Sequence, residues 1–366
     1  MTSKYVLILM WIALCAVFAY SGRFSRMEYV EGRYEERYRW WFAFLVFVPV
    51  VWMAAHRGYF ADTTAYLANF RNMPDQLSGI PAYVAGVGKD KGFSVLSCIL
   101  KVFVTRNQVV YLGILALFQV ISLTTVYRKY SPQYLVSAFL FLASTDYISW
   151  MFNGLRQCMA VTIIFLATPW IIEKKYIRVL LVILLASTMH QSALIMIPLV
   201  LIAHGKAWNR RTLVYIVLVI LAVTFVGTFT NVMDDALSGT QYANMVRDYT
   251  EWKDDGTNPI RALVYSLPAI AAFLMRRTIV RYDNRLINFC TNMSAISAGL
   301  YLISVFTSGI FLGRVPIYAS LYGYILLPWE LDNLFSERSR RFLYLLMIGG
   351  YLMFYYYQMH IQWGLF

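Results

Sequence analysis

Phe93-Ser94-Val95-Leu96-Ser97-Cys98-Ile99-Leu100-Lys101-Val102-Phe103-Val104 is an apolar run of twelve residues in a chain rich in longer ones. A helix that crosses about 30 Å of hydrocarbon needs about 17–25 residues, so this run is short for a span. Whether it crosses or turns back sets the side of the membrane on which every later segment lies. Other apolar runs lie near 5–20, 40–55, 108–126, 132–148, 157–172, 177–190, 191–203, 212–230, 259–275, 288–308, 315–329 and 341–358. Over its 366 residues the chain is 60% apolar and 14% charged, where soluble domains carry about a quarter charged residues. The fold class that follows is an all-α, polytopic integral membrane protein. It has about twelve transmembrane helices plus one re-entrant or interfacial helix. A single membrane domain over 1–366 is expected, with external loops at about 56–92 and 231–258.

Loop charge decides how 93–104 is read. If it turns back, the loops 21–39, 127–130, 173–178, 204–211, 276–285 and 336–341 share one side and hold 20 of the 32 lysines and arginines. If it crosses, the last five of these loops change sides. The opposite faces downstream hold only Arg156, Arg247, Lys253, Arg261 and Arg314. Lysine and arginine concentrate in cytoplasmic loops, so the re-entrant reading is preferred, with both termini outside. The run 5–20 could pass for a signal peptide, but the five arginines between Arg23 and Arg39 argue for a retained first span. The net charge of +13 is spread over short clusters rather than one patch, which argues against nucleic acid as a partner.

That topology places Arg57, Asp62, Tyr66, Asn153, Arg156, Gln157, His190 and Arg314 on the non-cytoplasmic side. Arg156, in Asn153-Gly154-Leu155-Arg156-Gln157, has apolar sequence on both sides. An arginine at mid-bilayer costs about 2.5–3.5 kcal/mol, so it is expected at a wet helix end or paired with an anion. Its donor fork suits phosphate. Arg57 and Asp62 bracket Gly58, and Asp62 lies four residues before Tyr66, one helical turn. A capped interfacial helix accounts for the same spacing, with Asp62 as N-cap and Tyr66 in the aromatic belt. His190, where two apolar runs meet, is either a structural residue or a proton acceptor. Lys89 and Lys91 either meet phosphate at a helix N-terminus or are solvated. Three isolated arginines with a carboxylate and an imidazole on one face point to an anionic substrate.

The loop 231–258 carries Asp234, Asp235, Asp248, Glu251, Asp254 and Asp255 with Tyr242, Tyr249 and Trp252. That mixture suits sugar binding, or a solvated loop with interfacial aromatics. Its acids lack calcium-loop spacing, and no nucleotide-binding glycine motif occurs. Cys15, Cys98, Cys158 and Cys290 are scattered through apolar runs, which argues against a disulfide framework or a zinc site. No cofactor is expected.

These residues resemble the EpsG family of bacterial exopolysaccharide polymerases, related in role to Wzy polymerases. The resemblance rests on Arg57…Asp62…Tyr66, Lys91-Gly92-Phe93, Asn153-Gly154-Leu155-Arg156-Gln157 and His190-x-Ser192. It covers about residues 50–205 well, with Arg314 as a later landmark. The family often reads Glu-Pro-Gly-Phe where this chain has Asp90-Lys91-Gly92-Phe93, so a role for that acid is open. The resemblance implies a membrane glycosyltransferase at the outer face of the bacterial inner (cytoplasmic) membrane, facing periplasm or exterior. Its substrate would be an undecaprenyl-pyrophosphate-linked glycan, with membrane lipid around it and a chain-length regulator as a candidate partner. The expected site has Asp62 and His190 as catalytic candidates. Arg156 and Arg314 would hold the donor pyrophosphate with Arg57 in support, while Tyr66, Asn153 and Gln157 bind substrate. The alternatives are a polysaccharide ligase, or a flippase or other transporter.

Overall fold

The computed structural model describes residues 3–30, 33–58, 61–237, 256–307, 309 and 312–365. Each of the twelve apolar runs contains helix, and the one sheet among the described residues is a two-stranded hairpin. The all-α class therefore holds. The helices are shorter than a simple twelve-span reading requires. Among the described residues, Gln108–Tyr130 and Arg285–Val305 are each long and apolar enough to cross, and up to four spans result if two bent pairs are counted whole. Those pairs are Tyr134–Ala143 with Tyr147–Asn153, bent by 71°, and Pro259–Leu274 with Arg276–Tyr282, bent by 75°. At 1.5 Å per residue, a helix of fourteen residues such as Tyr176–Met189 covers about 21 Å.

Contacts divide the chain into two compact units, residues 1–194 with 341–366, and residues 195–340. In the first unit, α1 (Ser3–Ala19) and α2 (Trp40–Ala55) flank a hairpin of β1 (Ser25–Val30) and β2 (Arg33–Tyr38). The sequence reading treats 21–39 as a plain basic loop; it is a hairpin. Trp11 of α1 donates its indole N–H to the Leu45 carbonyl of α2 at 3.0 Å. The region 56–92, expected as an external loop, is largely helical. It contains α3 (Thr63–Asn72) and α4 (Ile80–Gly86), and leads into α5 (Lys91–Phe103). Leu67, Phe70, Ile80 and Phe93 from this region bury against Tyr111 and Leu115 of α6 (Gln108–Tyr130) and against Leu155 and Met159. The Phe70 and Tyr111 rings stack with centroids 4.0 Å apart. Lys101 of α5 donates to the Arg71 carbonyl at 2.8 Å and also to that of Met73, tying down the end of α3. Apolar burial and these two bonds convert a long connection into packed structure.

Asn107 caps α6, its side chain accepting from the Val109 and Val110 amides, as caps do. After α6, α7 (Tyr134–Ala143) leads into a π-helical turn at Tyr147–Asn153, then α8 (Leu155–Leu166), α9 (Thr168–Ile172) and α10 (Tyr176–Met189). α6 packs on α2 and α8, and α10 on α8 and α5. Leu180, Leu181, Leu184 and Leu185 of α10 stay exposed, as a helix facing lipid requires.

In the second unit, the long helix Arg285–Val305 packs against Pro259–Leu274 and Arg210–Thr224. Asn292 holds the chain entering Arg210–Thr224: its amide donates to the Ala203 and Lys206 carbonyls, and its oxygen accepts from the Trp208 amide. The Glu330 carboxyl is fully buried without a hydrogen-bond partner among the described residues. Of the acidic loop, Asp234 and Asp235 belong to the helix Val226–Leu237. Tyr242, Asp248, Tyr249, Glu251, Trp252, Asp254 and Asp255 lie outside the described residues.

Candidate active site

The first unit brings α5, α8 and α10 together at one point. Gly92 makes this possible. A Cβ there would lie 2.1 Å from Thr188 Oγ1, 2.5 Å from Thr188 Cβ and 2.9 Å from the Thr188 carbonyl oxygen. Only a residue without a side chain lets the start of α5 rest on the end of α10. Two residues earlier, Asp90 adopts a left-handed backbone conformation with φ +56°. Its carboxylate is 3% exposed, with Oδ2 2.8 Å from Arg156 Nη1. Lys89 and Lys91 on either side are exposed.

Arg156 therefore has its anion within the chain. A guanidinium in apolar surroundings is tolerated when a counter-charge sits at hydrogen-bond distance. The pair is incompletely satisfied: Asp90 Oδ1 and Arg156 Nε are buried with no partner among the described residues. Arg156 also stands over the Tyr66 ring at 5.9 Å, a cation–π distance. Tyr66 meets Phe93 edge-on, with centroids 6.3 Å apart. Of the residues predicted from sequence, the structure thus joins Arg156 and Tyr66, and it adds Asp90. Sequence reasoning left the role of Asp90 open, because the chain reads Asp90-Lys91-Gly92-Phe93 where the family often reads Glu-Pro-Gly-Phe.

Arg57 is 8% exposed. Its Nη1 donates to the Met151 carbonyl at 2.6 Å, and its guanidinium lies 5.5 Å from the Phe152 ring centroid. Met151 and Phe152 belong to the π-helical turn, whose altered hydrogen bonding often marks functional positions. Burial lowers the Arg57 pKa to about 10, opposed by Tyr66, Tyr111 and Cys158. The group stays charged at neutral pH. Arg57 Nε and Nη2 are buried and have no partner among the described residues.

Asp62 occupies the N-cap position of α3, but its side chain makes no capping bond and is exposed. The capping role read from spacing is therefore not realised. The turn from Asp62 to Tyr66 is helical, the Tyr66 amide donating to the Asp62 carbonyl at 3.1 Å. Asn153 ends the π-helical turn half-buried, and Gln157 is buried in α8.

His190 ends α10 in extended conformation. Its Nδ1 lies 2.7 Å from Ser192 Oγ and accepts the Ser192 amide N–H at 3.3 Å. An Nδ1 that accepts a backbone N–H places the proton of neutral imidazole on Nε2. That tautomer makes Nε2 a hydrogen-bond donor, which suits an oxyanion better than proton abstraction. Gly92 and Thr188 link this helix end to Asp90. Arg314 belongs to the second unit, in the short turn Leu312–Arg314. There a Cβ on Gly313 would lie 2.4 Å from Thr257 Oγ1, so this turn too depends on close approach.

The EpsG family model matches residues 40–363, nearly the whole chain, and the chain belongs to that family. No curated protein and no solved structure matches it. Membership suggests a membrane protein engaged in exopolysaccharide synthesis as a Wzy-like polymerase.

Proposed function

We propose that this EpsG-family protein is a membrane glycosyltransferase that polymerises undecaprenyl-pyrophosphate-linked repeat units into surface polysaccharide. It would work at the outer face of the bacterial cytoplasmic membrane, with the twelve-span topology expected from loop charge. In the reaction, the growing glycan passes from its lipid carrier to the non-reducing end of a fresh repeat. A hydroxyl oxygen of the acceptor attacks the anomeric carbon, the bond from that carbon to the pyrophosphate oxygen breaks, and undecaprenyl pyrophosphate leaves. The hydroxyl proton passes to a base.

The observation that carries this reading is the ion pair between the buried Asp90 carboxylate and the partly exposed Arg156 over Tyr66, with one carboxylate oxygen unpartnered among the described residues. In the proposal, Asp90 Oδ1 accepts the acceptor hydroxyl, an assignment the geometry favours over the exposed Asp62 and over His190, whose Nδ1 is engaged. General base assistance is worth about 10² to 10⁴ in rate. With one carboxylate well placed there is no second to act as nucleophile beside a separate acid/base, so inversion is the expected outcome. Arg156 and the Nε2 donor of His190 stabilise negative charge on the departing oxygen, where preorganised donors in a low dielectric matter most. Tyr66 offers a ring face to a sugar. Asp62 lies at the accessible rim, with Asn153 and Gln157 orienting hydroxyls or Arg156. These roles rest on the first unit alone, and substitution of Arg314 tests its part separately.

Gene deletion in the native host tests the function. A polymerase mutant displays single repeats on the surface, a flippase mutant displays none, and a ligase mutant makes polymer that stays on its lipid. Either of the last two phenotypes overturns the proposal.

A further inference from the structure

Arg57 lines a pocket of about 220 Å³ that also contains Lys4 and the imidazole of His56 and whose walls include Tyr5, Trp52 and Phe152. Among the described residues no carboxylate lies within ion-pair distance of Lys4, His56 or Arg57. Arg57 is more than nine-tenths buried, and its contacts leave one edge unused. Nη1 is committed to Met151, while Nε and Nη2, the two donors of the side-on fork, have no partner among the described residues. That edge presents two parallel N–H groups, the geometry that grips two oxygens of one anion. His56 donates from Nδ1 to the Trp52 carbonyl at 2.9 Å and stacks on the Trp52 ring, which holds its imidazole in place. Arg156, by contrast, has the Asp90 carboxylate at 2.8 Å.

We propose that this pocket binds a phosphate or pyrophosphate group, held by the Nε/Nη2 fork of Arg57 with Lys4 and His56 closing over it. A lone carboxylate would satisfy the fork, but two cations, Arg57 and Lys4, with no carboxylate paired to them among the described residues match the higher charge of a phosphate or pyrophosphate. Lys4 begins α1, and Trp52, His56 and Arg57 end α2 or follow it, so the pocket lies at the helix ends away from the β1–β2 hairpin. There a lipid headgroup meets the chain at interfacial depth, among the aromatic residues common at that level. Arg57 bonds Met151 in the π-helical turn that ends at Asn153, three residues before Arg156, so the bound phosphate neighbours the proposed transfer site. The choice of a lipid pyrophosphate as source rests on the polymerase reading; the fork does not.

The test uses the full chain in phosphatidylcholine nanodiscs, titrated with inorganic pyrophosphate, or loaded with undecaprenyl pyrophosphate. The wild type is expected to bind both, the lipid more tightly, and Arg57→Gln to weaken both at least about tenfold. The Lys4→Gln/His56→Gln double variant, which leaves the Met151 bond intact, is expected to weaken both severalfold and decides the matter if Arg57→Gln does not fold. Equal affinity for the two probes keeps the phosphate site but makes free pyrophosphate its ligand. Unchanged affinity in the folded variants, no binding by the wild type, or tighter binding of glucuronate than of pyrophosphate overturns the proposal. Polymerisation assayed on the same samples separates the two ideas. Arg57-dependent binding without polymer refutes the polymerase reading and keeps the pocket; polymer without such binding does the reverse.

Discussion

Replacing Gly92 by alanine perturbs the point on which the candidate site is built. The new methyl would meet Thr188 Cβ at 2.5 Å and Oγ1 at 2.1 Å. Carbon atoms rest at about 3.5–4.0 Å, so the start of α5 must retreat from α10 by about 1 Å. Thr188 cannot swing aside freely, because its hydroxyl donates to the Leu185 carbonyl at 2.7 Å. Overpacking of this kind costs about 1–3 kcal/mol. Asp90 stands two residues from the collision and makes its bond to Arg156 at 2.8 Å, so the same movement stretches the ion pair. A 1 Å misplacement at a reacting centre costs on the order of 10² in rate. The assay is thermal unfolding in detergent, with polymer yield scored on the folded fraction. A second substitution sharpens the test. In the Gly92→Ala background, Thr188→Ala removes only the Oγ1 contact, whereas Thr188→Gly also removes the Cβ contact and should recover more. The carbonyl contact at 2.9 Å keeps recovery incomplete. Wild-type stability and yield in Gly92→Ala alone would refute the described approach of α5 to α10.

Asp90→Asn should lower polymer formation by about 10² or more, while Asp62→Asn, at an exposed site, should lower it less than tenfold; the lengths and amounts of glycan on gels compare them. Lys101→Met leaves the Arg71 and Met73 carbonyls without their donor and should cost about 1–3 kcal/mol in thermal unfolding. The hairpin should loosen in acid. Burial raises the Glu28 pKa, but hydrogen bonds and charge from Arg128 and Arg26 outweigh it and hold the carboxyl below its ordinary 4.5. Its contribution is therefore present above pH 4.5 and lost as pH falls through the lowered value. Hydrogen exchange over residues 25–38 should accelerate in that window and not between pH 6 and 8.

The helical class and the approximate places of the helices were legible because apolar runs are long and charge is confined between them. The hairpin at 25–38 was not. Its register sets Arg26 opposite Arg37 and Glu28 opposite Glu35, so no complementary cross-strand pattern marks it. What supports it is Arg128, on α6, which donates to the Tyr38 carbonyl and pairs with Glu28. Arg156 stood out as a costly cation, yet its partner did not. The left-handed turn at Asp90 sends one carboxylate inward between two exposed lysines, and no spacing rule encodes that turn for a residue other than glycine. Gly92 was visible as a motif, but its reason, contact with Thr188 nearly a hundred residues later, belongs to packing. The unpartnered edge of Arg57 was equally hidden. It depends on which donor the π-helical turn consumes, and a π-helical turn has no strong sequence signal.

The most direct test is reconstitution. Purified protein in liposomes is supplied with a polyprenyl-pyrophosphate-linked repeat unit and no nucleotide, metal or second protein. The prediction is a ladder of glycans growing by whole repeats with release of polyprenyl pyrophosphate, abolished by Asp90→Asn and by Arg156→Ala in protein that unfolds at the wild-type temperature. A full ladder from folded Arg156→Ala would contradict the site. Lipid-linked repeats that change leaflet but are never joined would contradict the function.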